Sequence, residues 1–238
     1  MTRLLAGVLL LPLSGALAWG AAKALADVAL AAPSAAPFLA GMALVAAAWL
    51  IGRHVLEPGG RAAHAGRAAR WAYVAGHEMT HALAAWATGG KVFAIKIGEK
   101  GGHVDLSESG ALVALAPYCV PLHALLVVLG YRVLLWLDPG ARAEPLFLGL
   151  MGAALAFHAV MTFDTLTQVK QPDLDAAGGT VFSLALILAA NGLLVLVLLK
   201  ALFPESVALR ASAASAAREA WRFWSAVGRL SAPAARAL

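Results

Sequence analysis

The chain has 238 residues, is 61% hydrophobic and only 13% charged, and carries a net charge of +5. Soluble domains are nearer half apolar and a quarter charged, so this composition, with a mean hydropathy of +0.79, excludes a large soluble domain and points to an integral membrane protein. The basic residues flank apolar runs and form no groove-binding motif, which sets nucleic acid aside and suits an anionic lipid surface; the single Cys119 excludes an intrachain disulfide or a thiolate metal cluster.

Leu4 to Ala26 is the first apolar run, just after Arg3. Ala16-Leu17-Ala18 resembles a signal-peptide cleavage site, but the run continues past it to Lys23, and a retained helix is expected. Pro33 and Pro37 punctuate a loop before a second span, Phe38 to Gly52. Arg53, Arg61, Arg67 and Arg70 surround a break at Pro58-Gly59-Gly60. By the positive-inside rule this basic loop is cytoplasmic, and the N-terminus with Arg3 lies on the same side.

Trp71 to Thr88 is expected as the third helix, with Trp71 and Tyr73 suited to a membrane interface and Gly89-Gly90 as its end. It carries His77-Glu78-Met79-Thr80-His81, an H-E-x-x-H pattern. Two histidines four residues apart share a helix face and can hold one zinc ion through neutral ring nitrogens. Glu78, beside His77, is placed to take a proton from a water that the metal activates, which suggests metal-assisted hydrolysis of an amide. The bland alternative, two polar core histidines and a charge, is disfavoured because an unpaired ionisable cluster in an apolar helix is costly.

Lys91 to Ile97 alternates, with Phe93, Ile95 and Ile97 on one face, and His103 to Leu106 reads as a returning strand after a Gly-rich turn. His103 and Asp105 read as ordinary loop polars. After Ser109-Gly110, Ala111 to Leu137 is a long span that Pro117 and Pro121 should bend, and His123 on it reads as a satisfied helix histidine. Pro145 to Thr167 and Thr180 to Leu199 are further spans, separated by the break Gln171 to Gly179. Asn191 is expected to bond a neighbouring helix. Glu205 to Leu230, with Arg210, Arg218, Arg222, Arg229 and three aromatics, reads as a basic helix on the cytoplasmic membrane surface.

The expected fold is therefore an all-α polytopic membrane protein of about six transmembrane helices, with a short β-hairpin after the metal-binding helix and both termini cytoplasmic. Along the chain this gives two N-terminal helices and a basic loop over 1–70, a metalloprotease core over 71–202, and a basic C-terminal helix over 203–238.

In order, the H-E-x-x-H helix with its tail Ala82-Leu83-Ala84-Ala85, the Gly-Gly and β segment Gly89 to Leu106, the Pro-containing stretch Ala114 to Pro121, and the Asp-bearing break Pro172 to Gly179 resemble the site-2 protease family of intramembrane zinc metalloproteases. The similarity covers roughly Trp71 to Leu199 and is closest to a divergent bacterial branch without a PDZ insertion. It implies a Zn2+ enzyme of a bacterial inner membrane that cleaves a membrane-spanning protein substrate. The family commonly has L-D-G at its third ligand, whereas this chain reads P-D-L-D-A-A-G-G.

A catalytic zinc site wants three protein ligands and an open position. His77 and His81 supply two; Asp173, Asp175 and Asp164 compete for the third, with His158 behind them. Asp173 is the choice, because Pro172 opens the backbone beside it and broken helices at membrane depth mark ion sites. A non-catalytic metal-binding or scaffold protein would not need Glu78. A di-iron oxidoreductase would need more paired histidines than His77 and His81, since His54, His64, His103, His123 and His158 are isolated.

Overall fold

A computed structural model of the protein describes residues 2–54, 61–98, 101–107, 110–168 and 171–235. The Pro58-Gly59-Gly60 break and Ser109 lie outside them. The chain forms two compact units, one of Met1–Pro33 with Gly178–Leu238 and one of Ser34–Ala177. These units group the helices by packing.

In the first unit α1 (Thr2–Ala31) packs along α8 (Thr180–Leu202), and α9 (Leu209–Ala235) lies against both. The buried residues of α1 are Gly7, Ser14, Leu17, Ala21, Ala24 and Val28, an alternation of threes and fours that keeps one seam facing α8. Small residues let the backbones approach. A methyl on Gly7 would fall 2.7 Å from the Phe182 backbone, and one on Gly192 would fall 2.8 Å from that of Leu17. The Ser14 hydroxyl donates across the seam to the Ala185 carbonyl at 2.7 Å. The Asn191 amide donates to the Ile187 carbonyl of its own helix. The basic helix expected on the membrane surface reaches α1, where the Trp224 indole donates to the Leu9 carbonyl.

The second unit holds α2 (Ala36–His54), α3 (Arg61–Ala87), β1 (Val92–Gly98), β2 (Gly101–Leu106), α4 (Ala111–Cys119), α5 (Leu122–Leu137), α6 (Glu144–Gln168) and α7 (Pro172–Ala177). α2 packs on α6 through glycines: side chains at Gly41 and Gly152 would collide with the carbonyls of Gly149 and Phe38. α5 also packs on α6, and α3 packs on α4, α5 and the hairpin. α3 starts ten residues before Trp71, because the alanines between Arg61 and Arg70 are strong helix formers. It ends where Gly89, at φ 82°, turns the chain and the Gly90 amide donates back to the Ala85 carbonyl.

The expected single span Ala111 to Leu137 is two helices, α4 and α5, bent by 67°. Pro117 is accommodated inside α4, and the break falls at Val120 and Pro121. The hairpin register slips between Val92 and Ala94, so Phe93 is a bulge residue, 67% exposed, and does not share a face with Ile95. The expected break at Gln171 to Gly179 contains the short helix α7, followed by Gly178 and Gly179 at positive φ.

Among the described residues four helices are long and apolar enough to cross a membrane: Thr2–Ala31, Pro33–Gly52, Glu144–Thr167 and Thr180–Leu202. The bent pair α4–α5 makes a fifth if counted as one span. α3, carrying the H-E-x-x-H residues, is not among them.

Candidate metal centre

Helical spacing puts His77 and His81 on one face of α3, with their rings 4.9 Å apart. α4 lies against that face and brings in α7, which carries Asp173. The Asp173 Oδ2 atom is 3.5 Å from His77 Nε2 and 3.6 Å from His81 Nε2. One ligating atom from each of these three residues lies within 4.8 Å of the others, and the group can hold a metal ion. Ligands about 2.1 Å from a tetrahedral zinc stand about 3.4 Å from one another, so the carboxylate–histidine separations of 3.5 and 3.6 Å fit such an ion.

The surroundings prepare the same atoms. The His81 Nδ1 atom lies 2.9 Å from the Val113 carbonyl. A carbonyl only accepts, so Nδ1 carries the proton and Nε2 offers its lone pair to the site. The Tyr118 hydroxyl, fully buried, donates to Asp173 Oδ2 at 2.9 Å and also faces Gln171 Oε1 at 3.2 Å. The Tyr118 ring meets that of His77 edge-on at 5.1 Å.

Glu78 follows His77 on α3 and is only 7% exposed. β2 covers it: a methyl on Gly102 would sit 2.6 Å from Glu78 Oε1. Only glycine at this strand position leaves the carboxylate its room. Strand alternation then sends the side chains of His103 and Asp105 to the other face, where they pair with each other at 2.6 Å.

The competing aspartates lie elsewhere. Asp164 accepts a hydrogen bond from the Trp49 indole at 2.8 Å, and Asp175 is exposed on α7. His158 is buried, 5% exposed, and lines a small cavity with His77 and His123. The ring of His123 lies over Gly76, where an added methyl would meet it at 2.6 Å.

Sequence reasoning misses Tyr118, the Val113 carbonyl and Gly102. Tyr118 leaves one trace, a phenol in an apolar run between two prolines that must find a partner when buried. The other two leave none, since a backbone carbonyl and a missing side chain act through tertiary position alone.

No family model, curated protein or solved structure matches this chain. What the centre can do therefore follows from its own chemistry: three convergent ligand atoms of the borderline donor types that suit zinc, and a covered carboxylate next to them in sequence.

Proposed function

We propose that the protein is an intramembrane zinc endopeptidase of the site-2 protease type, hydrolysing a peptide bond in a membrane-spanning protein. The observation that carries this reading is the convergence of His77, His81 and Asp173 beside a buried Glu78 in a chain of long apolar helices. His77, His81 and Asp173 would hold the zinc, which when bound acts as a Lewis acid on the scissile carbonyl and lowers the pKa of its water to about 7. The Glu78 carboxylate takes the proton of the attacking water as the oxygen adds to the carbonyl carbon. It then delivers that proton to the amide nitrogen as the C–N bond breaks, leaving a new carboxyl group and a new amine.

A peptide bond inside a helix is hidden by its own hydrogen bonds, so the substrate must unwind. Among the described residues β1 pairs only with β2, and its other edge offers backbone groups to an extended segment. α3 supplies the sixth span in this reading. Its polar face carries His77 and His81, while Met79, Leu83 and Trp86 are exposed along another. In this reading the arginine distribution favours a cytoplasmic side for both termini and for the Arg53 to Arg70 segment, against an anionic lipid surface, and the family resemblance implies a bacterial inner membrane.

The test is zinc analysis of purified protein paired with cleavage of single-span substrates in proteoliposomes. Wild type should bind one zinc and cleave. Glu78→Gln should keep the zinc and lose about 10²–10⁴ in rate from the missing base. Asp173→Ala should lose both zinc and cleavage, while Asp175→Ala keeps the zinc. Undiminished cleavage by folded Glu78→Gln would overturn the protease reading, and zinc binding without any cleavage would favour a metal-binding scaffold.

A further inference from the structure

The two histidines of the pair are held differently. The outer nitrogen of His81 is fixed by the Val113 carbonyl, whereas the buried Nδ1 of His77 has no hydrogen-bond partner among the described residues. The hydroxyls of Tyr73 and Thr162 are also buried without one. Tyr73 stands one helical turn before His77, their rings 5.6 Å apart, and Thr165 and Thr162 of α6 both face the Tyr73 hydroxyl.

A cavity of about 10 Å³ lies against Tyr73, His77, Thr80, His123 and His158. About 10–15 Å³ is the room one water needs, and a buried water typically makes about three hydrogen bonds to polar groups otherwise left unsatisfied. Apolar voids stay dry; Pro117, Val120 and Leu122 line part of this one, but two imidazoles and a phenol besides His77 line it too.

We infer that a buried water bridges His77 Nδ1 and the Tyr73 hydroxyl, making Tyr73 the positioning residue for the first histidine of the metal pair. This rests on the metal-centre reading proposed above. His77 Nδ1–H donates to the water oxygen, and the water donates to the Tyr73 oxygen. That leaves the Tyr73 O–H free to donate to Thr165 or Thr162, so the chain ties the ligand to α6. Its effect on His77 equals that of the Val113 carbonyl on His81: the proton is kept on Nδ1 and the lone pair of Nε2 is aimed at the metal.

The experiment measures zinc affinity by chelator competition, and the visible spectrum after cobalt substitution, for detergent-purified wild type, Tyr73→Phe and Tyr131→Phe. Tyr131 stacks on Phe147 away from the cavity and serves as the phenol-deletion control. Tyr73→Phe should bind zinc about 10–100-fold more weakly and shift the cobalt bands, as losses of ligand-orienting partners do; Tyr131→Phe should match wild type. Unchanged affinity and spectrum in Tyr73→Phe would overturn the bridging water while leaving the metal centre standing. A wild type that takes up no zinc would overturn both. A density map of the wild type gives a second readout independent of the variant. A peak within hydrogen-bond distance of both His77 Nδ1 and the Tyr73 oxygen supports the inference, and a dry cavity or a direct Tyr73–His77 bond overturns it.

Discussion

Glu78 has room to work because Gly102 has no side chain. Alanine there would put a methyl 2.6 Å from Glu78 Oε1, and the carboxylate, packed under β2, would have to swing away. Glu78 is not a metal ligand in the reading above, so Gly102→Ala should leave the zinc content intact and cut cleavage by about 10²-fold, the scale of a misplacement near 1 Å. Zinc analysis beside a proteolysis assay separates the two effects; normal cleavage by the variant would show that the hairpin does not position the base. At this scale the sequence is informative about residues whose chemistry is unusual for their setting. His77, Glu78 and His81 stand out as polar groups in an apolar helix, and Asp173 stands out through Pro172. Gly102 does not, because glycines are common in hairpins and its purpose lies 24 positions away in the sequence.

Glycine has the opposite meaning on α6. A side chain at Gly152 collides with the Phe38 carbonyl of α2, while one at Gly130 in the middle of α5 meets nothing within 4 Å. Gly152→Ala should therefore force α2 and α6 apart and cost about 1–3 kcal/mol or more. Gly130→Ala should be neutral or stabilising by about 0.5–1 kcal/mol through better helix propensity. Thermal unfolding in detergent compares them directly, and equal melting temperatures would show that the α2–α6 seam is loose. Elements announced by apolar runs and prolines are readable in the chain, namely α1, α2, α6, α8 and the α4–α5 break. The first ten residues of α3 are not, since arginines and glycine mimic a loop while the alanines favour helix. The bulge at Phe93 escapes an alternating pattern for a related reason: alternation describes an unbroken ladder, and one extra residue resets every face before it.

For the whole molecule, the arginine distribution carries the proposed orientation in a bilayer. Single cysteines introduced in a Cys119→Ser background should label from the cytoplasmic side at Arg61, where Arg53, Arg61, Arg67 and Arg70 cluster, and at Ala141, which six spans from a cytoplasmic N-terminus put on the same side. Labelling of Arg61→Cys from outside would reverse the topology and require the metal centre to serve the other face. The grouping into two units is harder to read than the orientation, since the first unit joins the two ends of the chain. Only the three-and-four spacing of Gly7, Ser14, Leu17, Ala21, Ala24 and Val28 hints that α1 has a helical partner, and nothing local names α8. That seam sets a clock on biosynthesis. Ser14 and its acceptor Ala185 are 171 residues apart, and a ribosome adding about 5–20 residues per second needs about 10–35 s to cover that distance. Throughout that interval the small-residue face of α1 has no partner helix, so α1 must keep that face unmatched until a segment made 171 residues later arrives.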